Sequence, residues 1–151
     1  MKMNSEIVSY KGIEGIDLYL PIDVVRQSLS NEGLRSREEV WGGNSETIPN
    51  PWTILIVDDV VSLFFASNSK LFKIVLWKNY QGSLPNGIHP RMAMTEAQCL
   101  DPALVYDDWN EDYESPLGYW LEDDPDTEEV SSISIFIREI LDEDNFDYCN
   151  W

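Results

Sequence analysis

The sequence predicts an α+β fold, a mainly antiparallel sheet of five to seven strands with short helices on one face, and three observations lead there. A Gly-Ile segment that ends in a helix-capping residue occurs twice, at Gly15 to Asp23 and at Gly87 to Thr95. Each copy is followed by several runs dense in strand-forming residues. One of these runs, Ser132-Ile133-Ser134-Ile135, alternates polar with apolar, which puts both isoleucines on one side of a strand. The 151 residues fit a single domain, 1–151. The doubled pattern, G-I-x3-[LM]-x-[IM]-[DT], admits two repeats inside it, 12–80 and 85–141. Only the Gly and the Ile are identical, so chance is the rival account; a shared order of helix then strands favours repetition.

The elements follow in order. Asp23 can accept a hydrogen bond from the orphan amides of a following turn, which predicts a helix over 23–30. A loop rich in Gly, Asn and Pro, Gly42 to Pro51, precedes three runs of Val, Ile, Leu, Phe and Trp: Trp52 to Val57, Val60 to Ala66 and Leu71 to Trp77. Asp58-Asp59 and Asn68-Ser69 separate them at hairpin spacing, so these runs form a meander. Tyr80 to Pro85 reads as a linker. Thr95 repeats the cap and predicts a helix over 95–100. Strands are then expected at Leu104 to Trp109, Pro116 to Glu122 and Val130 to Ile137, joined by acidic turns at Asp107 to Ser115 and Glu122 to Glu129. Arg138 to Asp144 either ends in a short helix or extends the last strand.

Charge is distributed unevenly along this frame. From Asp101 to Trp151 there are seventeen Asp and Glu against a single basic residue, Arg138, so nearly all of the net charge of −18 lies in the last third. Trp109, Tyr113, Tyr119, Trp120, Phe146, Tyr148 and Trp151 lie within it, an aromatic content that a disordered acidic tail lacks. A pI near 4.1 disfavours direct binding to nucleic-acid phosphate or to an anionic membrane surface. No stretch approaches the ~20 apolar residues of a membrane span and the N-terminus lacks an apolar signal core, so cytoplasmic residence is expected. Cys99 and Cys149 stand fifty residues apart without a CxxC motif and are expected to be structural or incidental thiols.

A search for catalytic equipment returns little. The single histidine, His89, precedes Pro90 in an extended segment; a multi-histidine metal site is excluded, and a structural or solvent role is expected for it. There is no GxGxxG, Walker loop or GxSxG. Carboxylates are plentiful enough for a glycosidase-like pair, but crowded acidic loops are usually solvated faces, and a catalytic pair needs burial to separate its two pKa values. Asp142 to Asp147 and Asp123 to Asp126 superficially resemble calcium loops but lack the central Gly and the later bidentate Glu. The expectation is a protein that is not an enzyme and needs no cofactor or metal.

The acid itself is then the candidate function. Two acidic loops, Asp107 to Glu114 and Glu122 to Glu129, flank the strand Pro116 to Leu121; they form two poles or one continuous face, depending on the strand. Either arrangement would draw in a Lys- and Arg-rich protein, raising association above the neutral ~10⁵ to 10⁶ M⁻¹s⁻¹. The expected steering residues are Asp107, Asp108, Glu111, Asp112, Asp123, Asp124 and Asp126, all read as solvated, with Trp109, Tyr113 and Trp120 as anchors. Tyr119 and Trp120 are adjacent on a strand, so one of them points outward.

With these segments in view the chain resembles small bacterial immunity proteins of contact-dependent growth inhibition and other polymorphic toxin systems. Asn86-Gly87-Ile88 through Thr95-Glu96, then Gly118-Tyr119-Trp120-Leu121-Glu122 and Ser132 to Ile137, also resemble the helix-plus-strands repeat of the beta-lactamase inhibitory protein family. That family carries disulfides and a secretion signal, which this sequence does not support. The resemblance is one of element order and composition; it implies a non-catalytic protein that binds a cognate toxin domain, expected to be a basic nuclease, and covers its active site or substrate cleft. Two other functions compete with it: an acidic nucleic-acid mimic that blocks a host DNA-binding protein, and a carboxylate-dependent hydrolase.

Overall fold

The runs of Val, Ile, Leu and Phe pair with one another in chain order. In a computed structural model, which describes residues 1–43, 50–147 and 149–151, a two-stranded ribbon of β1 (Gly12–Ile13) and β2 (Ile16–Asp17) leads into α1 (Ile22–Asn31). Four strands follow: β3 (Ser36–Trp41), β4 (Trp52–Val57), β5 (Val61–Phe65) and β6 (Leu71–Trp77). Then come α2 (Met94–Leu100) and four more, β7 (Val105–Asp107), β8 (Asp112–Ser115), β9 (Tyr119–Asp123) and β10 (Val130–Phe136). A 3₁₀ turn (Arg138–Leu141) and α3 (Glu143–Asp147) close the order. The fold is α+β and mostly sheet. Among the described residues no helix is long and apolar enough to cross a membrane.

All eight long-sheet strands are antiparallel, in the order β3-β4-β5-β6-β10-β9-β8-β7. α1 and α2 thus each precede a four-stranded meander, and the meanders meet where β6 pairs with β10, Leu76 opposite Ile133 and Ile74 opposite Ile135. Those four side chains are fully buried and lie on the inner face. Burying each contributes roughly 1.5–3 kcal/mol. α1 and α2 lie on that face. Arg26 of α1 reaches Glu38 of β3, and Asp101 at the end of α2 accepts hydrogen bonds from Ser115 of β8 at 2.6 Å and from Tyr119 of β9.

The Gly-Ile pattern marks matched backbone positions. Gly15 and Gly87 have φ of 85° and 93°, Tyr19 and Arg91 of 73° and 74°, and Ser69 and Glu128 of 64° and 58°. Tyr19 N–H donates to Leu71 O as Arg91 N–H donates to Val130 O, and Leu71 and Val130 donate back to Leu20 and Met92. In each half, therefore, the entry to the helix is stitched to the start of the last strand of its meander.

That stitching displaces the expected caps. Asp23 and Thr95 lie inside their helices, and the N-cap positions are Pro21 and Ala93, neither with a side-chain cap bond. The first helical amides have other acceptors: Ile22 N–H donates to Ser69 O and Met94 N–H to Glu128 O, each at 2.9 Å. Asp23 is left to accept from Arg26 at 3.1 Å.

Two strands exceed the expectation. β3 is exposed and charged (Ser36-Arg37-Glu38-Glu39), and β8 falls within what reads as an acidic turn. The strand expected at Leu104 to Trp109 shortens to Val105–Asp107, and that expected from Pro116 begins at Tyr119. Gly118 sits in the turn between β8 and β9 at φ 93°, where a Cβ would come within 2.4 Å of the Tyr10 ring. The segment read as a linker is packed: Tyr80 is fully buried, and Gln81 and Ser83 pair with Met3 and Ile7 of the N-terminal stretch. The Gly42 to Pro51 loop falls largely on residues 44–49, outside the described residues.

Candidate functional site

The unexpected strand β8 decides how the acidic segments are arranged. A meander places alternate turns at the same end of a sheet. Because β8 lies between them, the β7–β8 turn (108–111) and the β9–β10 turn (124–129) project from one end, and the β8–β9 turn from the other. The carboxylates form one rim, not two poles. The β4–β5 turn, Asp58-Asp59, lies at the same end of the first meander.

The expected site residues divide between this rim and the two sheet faces. Trp109 stands at the tip of the β7–β8 turn with 91% of its side chain exposed, and Asp108 and Glu111 beside it are exposed. Asp126 is exposed and Asp123 half-buried. The remaining carboxylates are not free. Asp107 accepts hydrogen bonds from Trp109 N–H at 2.8 Å and Asn110 N–H at 3.3 Å, which closes the turn and holds its carboxyl below the usual range. Asp124 pairs with Lys78 and accepts from Asp126 N–H at 2.9 Å; its pKa is lowered by Lys78 first and by that amide second. Both were expected to be solvated, and both hold turns together.

Asp112 departs furthest from the expectation. It is 7% exposed, and burial, then Glu114, Asp107 and Glu122, push its pKa up to about 7. A buried carboxyl among carboxylates is not a steering charge. Tyr113 turns to the inner face beside Tyr106, ring centres 5.0 Å apart, so it is a packing residue more than an anchor. Of the Tyr119 and Trp120 pair, Tyr119 is buried inward, where burial and then Asp101 raise its hydroxyl pKa to about 12. Trp120 is on the outer face and lies against Phe136, centres 4.2 Å apart.

Sequence reasoning missed the outer sheet face, on which neither α1 nor α2 lies. Residues directly opposite across strands share a face, so Trp41, Phe64, Lys73, Trp77 and Trp120 all project there. The Lys73 ammonium sits 4.7 Å from the centre of the Phe64 ring and 5.9 Å from that of Trp120. Burial lowers its pKa, against the opposing fields of Glu122 and Asp112. Beside it a depression of about 230 Å³ opens between Trp41, Trp77, Arg37 and Asp59, and the Trp77 indole N–H donates to Ser62 Oγ at 2.9 Å on its floor. The only signal in the sequence is the alternation of β6 and β9, which places these residues once register is known.

The lone His89 is half-buried with Nδ1 2.7 Å from Pro90 O, and both cysteines are free thiols. The chain is thus an α+β protein in which α1 and α2 lie on one sheet face; the other face is aromatic, with Phe146 of α3 packed against its Trp52, and an acidic rim stands at one end. No protein-family model, no curated protein and no solved structure matches the chain.

Proposed function

We propose that the chain is a non-catalytic inhibitor of the immunity-protein kind, which binds a basic bacterial toxin domain in the cytoplasm and covers its active site or substrate cleft. The observation that carries this reading is the convergence of two acidic turns at one end of the sheet, with Trp109 at 91% exposure on the tip of one of them. An exposed indole ringed by carboxylates fits a partner that offers an apolar notch in a basic surface: the charges speed encounter and the ring slows release. On this reading the steering residues are Asp108, Glu111, Asp123 and Asp126, with Trp109 as anchor, a choice supported by their exposure or half-exposure at that end. Asp107, Asp112 and Asp124 support the rim without facing the partner.

The test is to co-express the protein encoded immediately upstream, with and without this chain, and to measure binding of the purified pair. Asp108→Lys with Asp126→Lys should slow association at least ~10-fold and flatten its salt dependence. Trp109→Ala should chiefly accelerate dissociation, by a factor of ~30 or more for a hot-spot residue. A harmless neighbour, or kinetics unchanged in both variants, would sink the reading. Capture of a nucleoid protein in place of a toxin would transfer it to nucleic-acid mimicry.

A further inference from the structure

The hairpin register brings together three carboxylates that the sequence spaces apart. Asp107 of β7 lies directly opposite Asp112 of β8, and Glu114 follows Asp112 by two residues on the same strand, so all three project from one face. Each offers one oxygen, and the three oxygens lie within 4.8 Å of one another. We propose that Asp107, Asp112 and Glu114 form a binding site for a hard divalent cation the size of calcium.

Distance admits an ion of this size. Two ligands of one cation are separated by at most twice the metal–oxygen bond, which is about 4.6–5.2 Å for Ca²⁺ and only about 4.0–4.2 Å for Mg²⁺. Oxygens that all lie within 4.8 Å of one another can share one calcium ion. Chemistry points the same way, since carboxylate oxygens suit calcium and are poor ligands for softer metals.

Burial supplies the independent observation. Asp112 is only 7% exposed, one of its oxygens belongs to the cluster, and its Oδ1 has no hydrogen-bond partner among the described residues. A buried carboxylate oxygen without a donor is costly, and like charges directly opposite across a hairpin add to the cost. The cation whose field reaches Asp112 from β6, Lys73, is held between aromatic rings. A divalent ion would satisfy Oδ1 and the opposed charges together.

The site is also open enough to load. Glu114 is half-buried, which leaves room for coordinating water. Asn110 spans the mouth, its amide nitrogen 3.1 Å from Asp107 Oδ2 and 3.4 Å from Glu114 Oε2. Half a turn of that amide presents an oxygen in place of the nitrogen, a further ligand of the required type.

The inference is independent of the partner reading, and its experiment needs no partner. The full chain, stripped with chelator, is titrated with CaCl₂ by calorimetry and with TbCl₃ by luminescence excited through its aromatic rings. One site is expected, with a Kd of about 10⁻⁴ to 10⁻³ M, and MgCl₂ should bind more weakly. Asp112→Asn and Glu114→Gln should each weaken Ca²⁺ by ~10-fold or more, whereas Asp123→Asn with Asp126→Asn should change it less than ~3-fold. Circular dichroism checks that the variants are folded, and the wild-type titration stands whatever their outcome. No saturable heat or luminescence in the millimolar range, or equal loss in the Asp123/Asp126 control, overturns the site and leaves a shared proton as what holds the cluster.

Discussion

At matched points of the two meanders the backbone does the same thing while carrying different side chains. Tyr19 and Arg91 adopt φ of 73° and 74° and donate to equivalent carbonyls, yet the β5–β6 turn carries Asn68 and Ser69 where the β9–β10 turn carries Asp124, Asp126, Glu128 and Glu129. The stitching that fixes the frame uses main-chain groups, which are indifferent to side-chain charge. Turn side chains project beyond the sheet and are free to vary without touching the core. The second meander has filled that freedom with carboxylates. Where acid enters the structure itself, as at Asp101, Asp107, Asp112 and Asp124, it acquires donors, a cation or a raised pKa.

Three substitutions break or sharpen this contrast, the largest first. Asp101 ties α2 to β8 and β9, and α1 has no buried carboxylate in the corresponding role. Asp101→Ala removes the acceptor of the Tyr119 hydroxyl and should cost ~2–3 kcal/mol in urea unfolding. Burial alone would raise the Asp101 pKa, but hydrogen bonds from Ser115, Tyr119 and Ala103 N–H outweigh it and lower the value. A lowered pKa means stability that is present above the unfolded value and lost as pH falls, so the difference between wild type and variant should shrink below about pH 4. A difference that persists unchanged in acid would assign the effect to packing.

Asp112 has the opposite sign. Its folded pKa of about 7 lies above the unfolded value, so the folded state holds the proton more tightly and stability declines as pH rises between the two. Asp112→Asn escapes that decline. Without divalent cations it should gain ~1–2 kcal/mol over wild type at about pH 8, after discounting for solvent screening, and the gain should fade towards about pH 4. Calcium in excess should offset that gain, because the wild type binds it ~10-fold or more tightly than the variant. Thermal unfolding at the two pH values, with and without CaCl₂, reads both effects.

The smallest effect contrasts the first meander's β4–β5 turn with the second's β8–β9 turn. The second uses Gly118 at φ 93°, whereas the first places two aspartates, Asp58 and Asp59, at 51° and 55°. Aspartate tolerates this region better than alanine. Asp58→Ala should therefore cost ~1 kcal/mol and Asp58→Gly almost nothing. Equal losses in both would implicate the carboxylate and not the backbone.

Much of this frame was legible in the residues. β4, β5, β6 and β10 follow from dense apolar runs, and both helices begin within a residue of their expected start because the Gly-Ile pattern marks their entry. β3 was hidden because Arg37, Glu38 and Glu39 carry no apolar alternation on a strand paired along one side only. β8 was hidden because Asp112, Glu114 and Ser115 have turn-like composition, although their i, i+2 spacing is that of one strand face. That omission also concealed the site. Without β8 the two acidic turns have no fixed relation, and without the Asp107 to Asp112 register no spacing in the chain reveals three carboxylates at one point. Lys73 was equally invisible, since its neighbours Phe64 and Trp120 come from strands on either side of β6 and β10.

The central pairing of β6 with β10 also sets how the molecule bears load. Five residue pairs hold that ladder, and tension applied along the two strands in opposite directions would strain all of them at once. Force applied at an outer edge would instead peel the strands in turn, beginning with the three pairs of β7 and β8. A grip on the acidic rim therefore pulls on the most easily detached part of the sheet, while the joint between the halves stays closed.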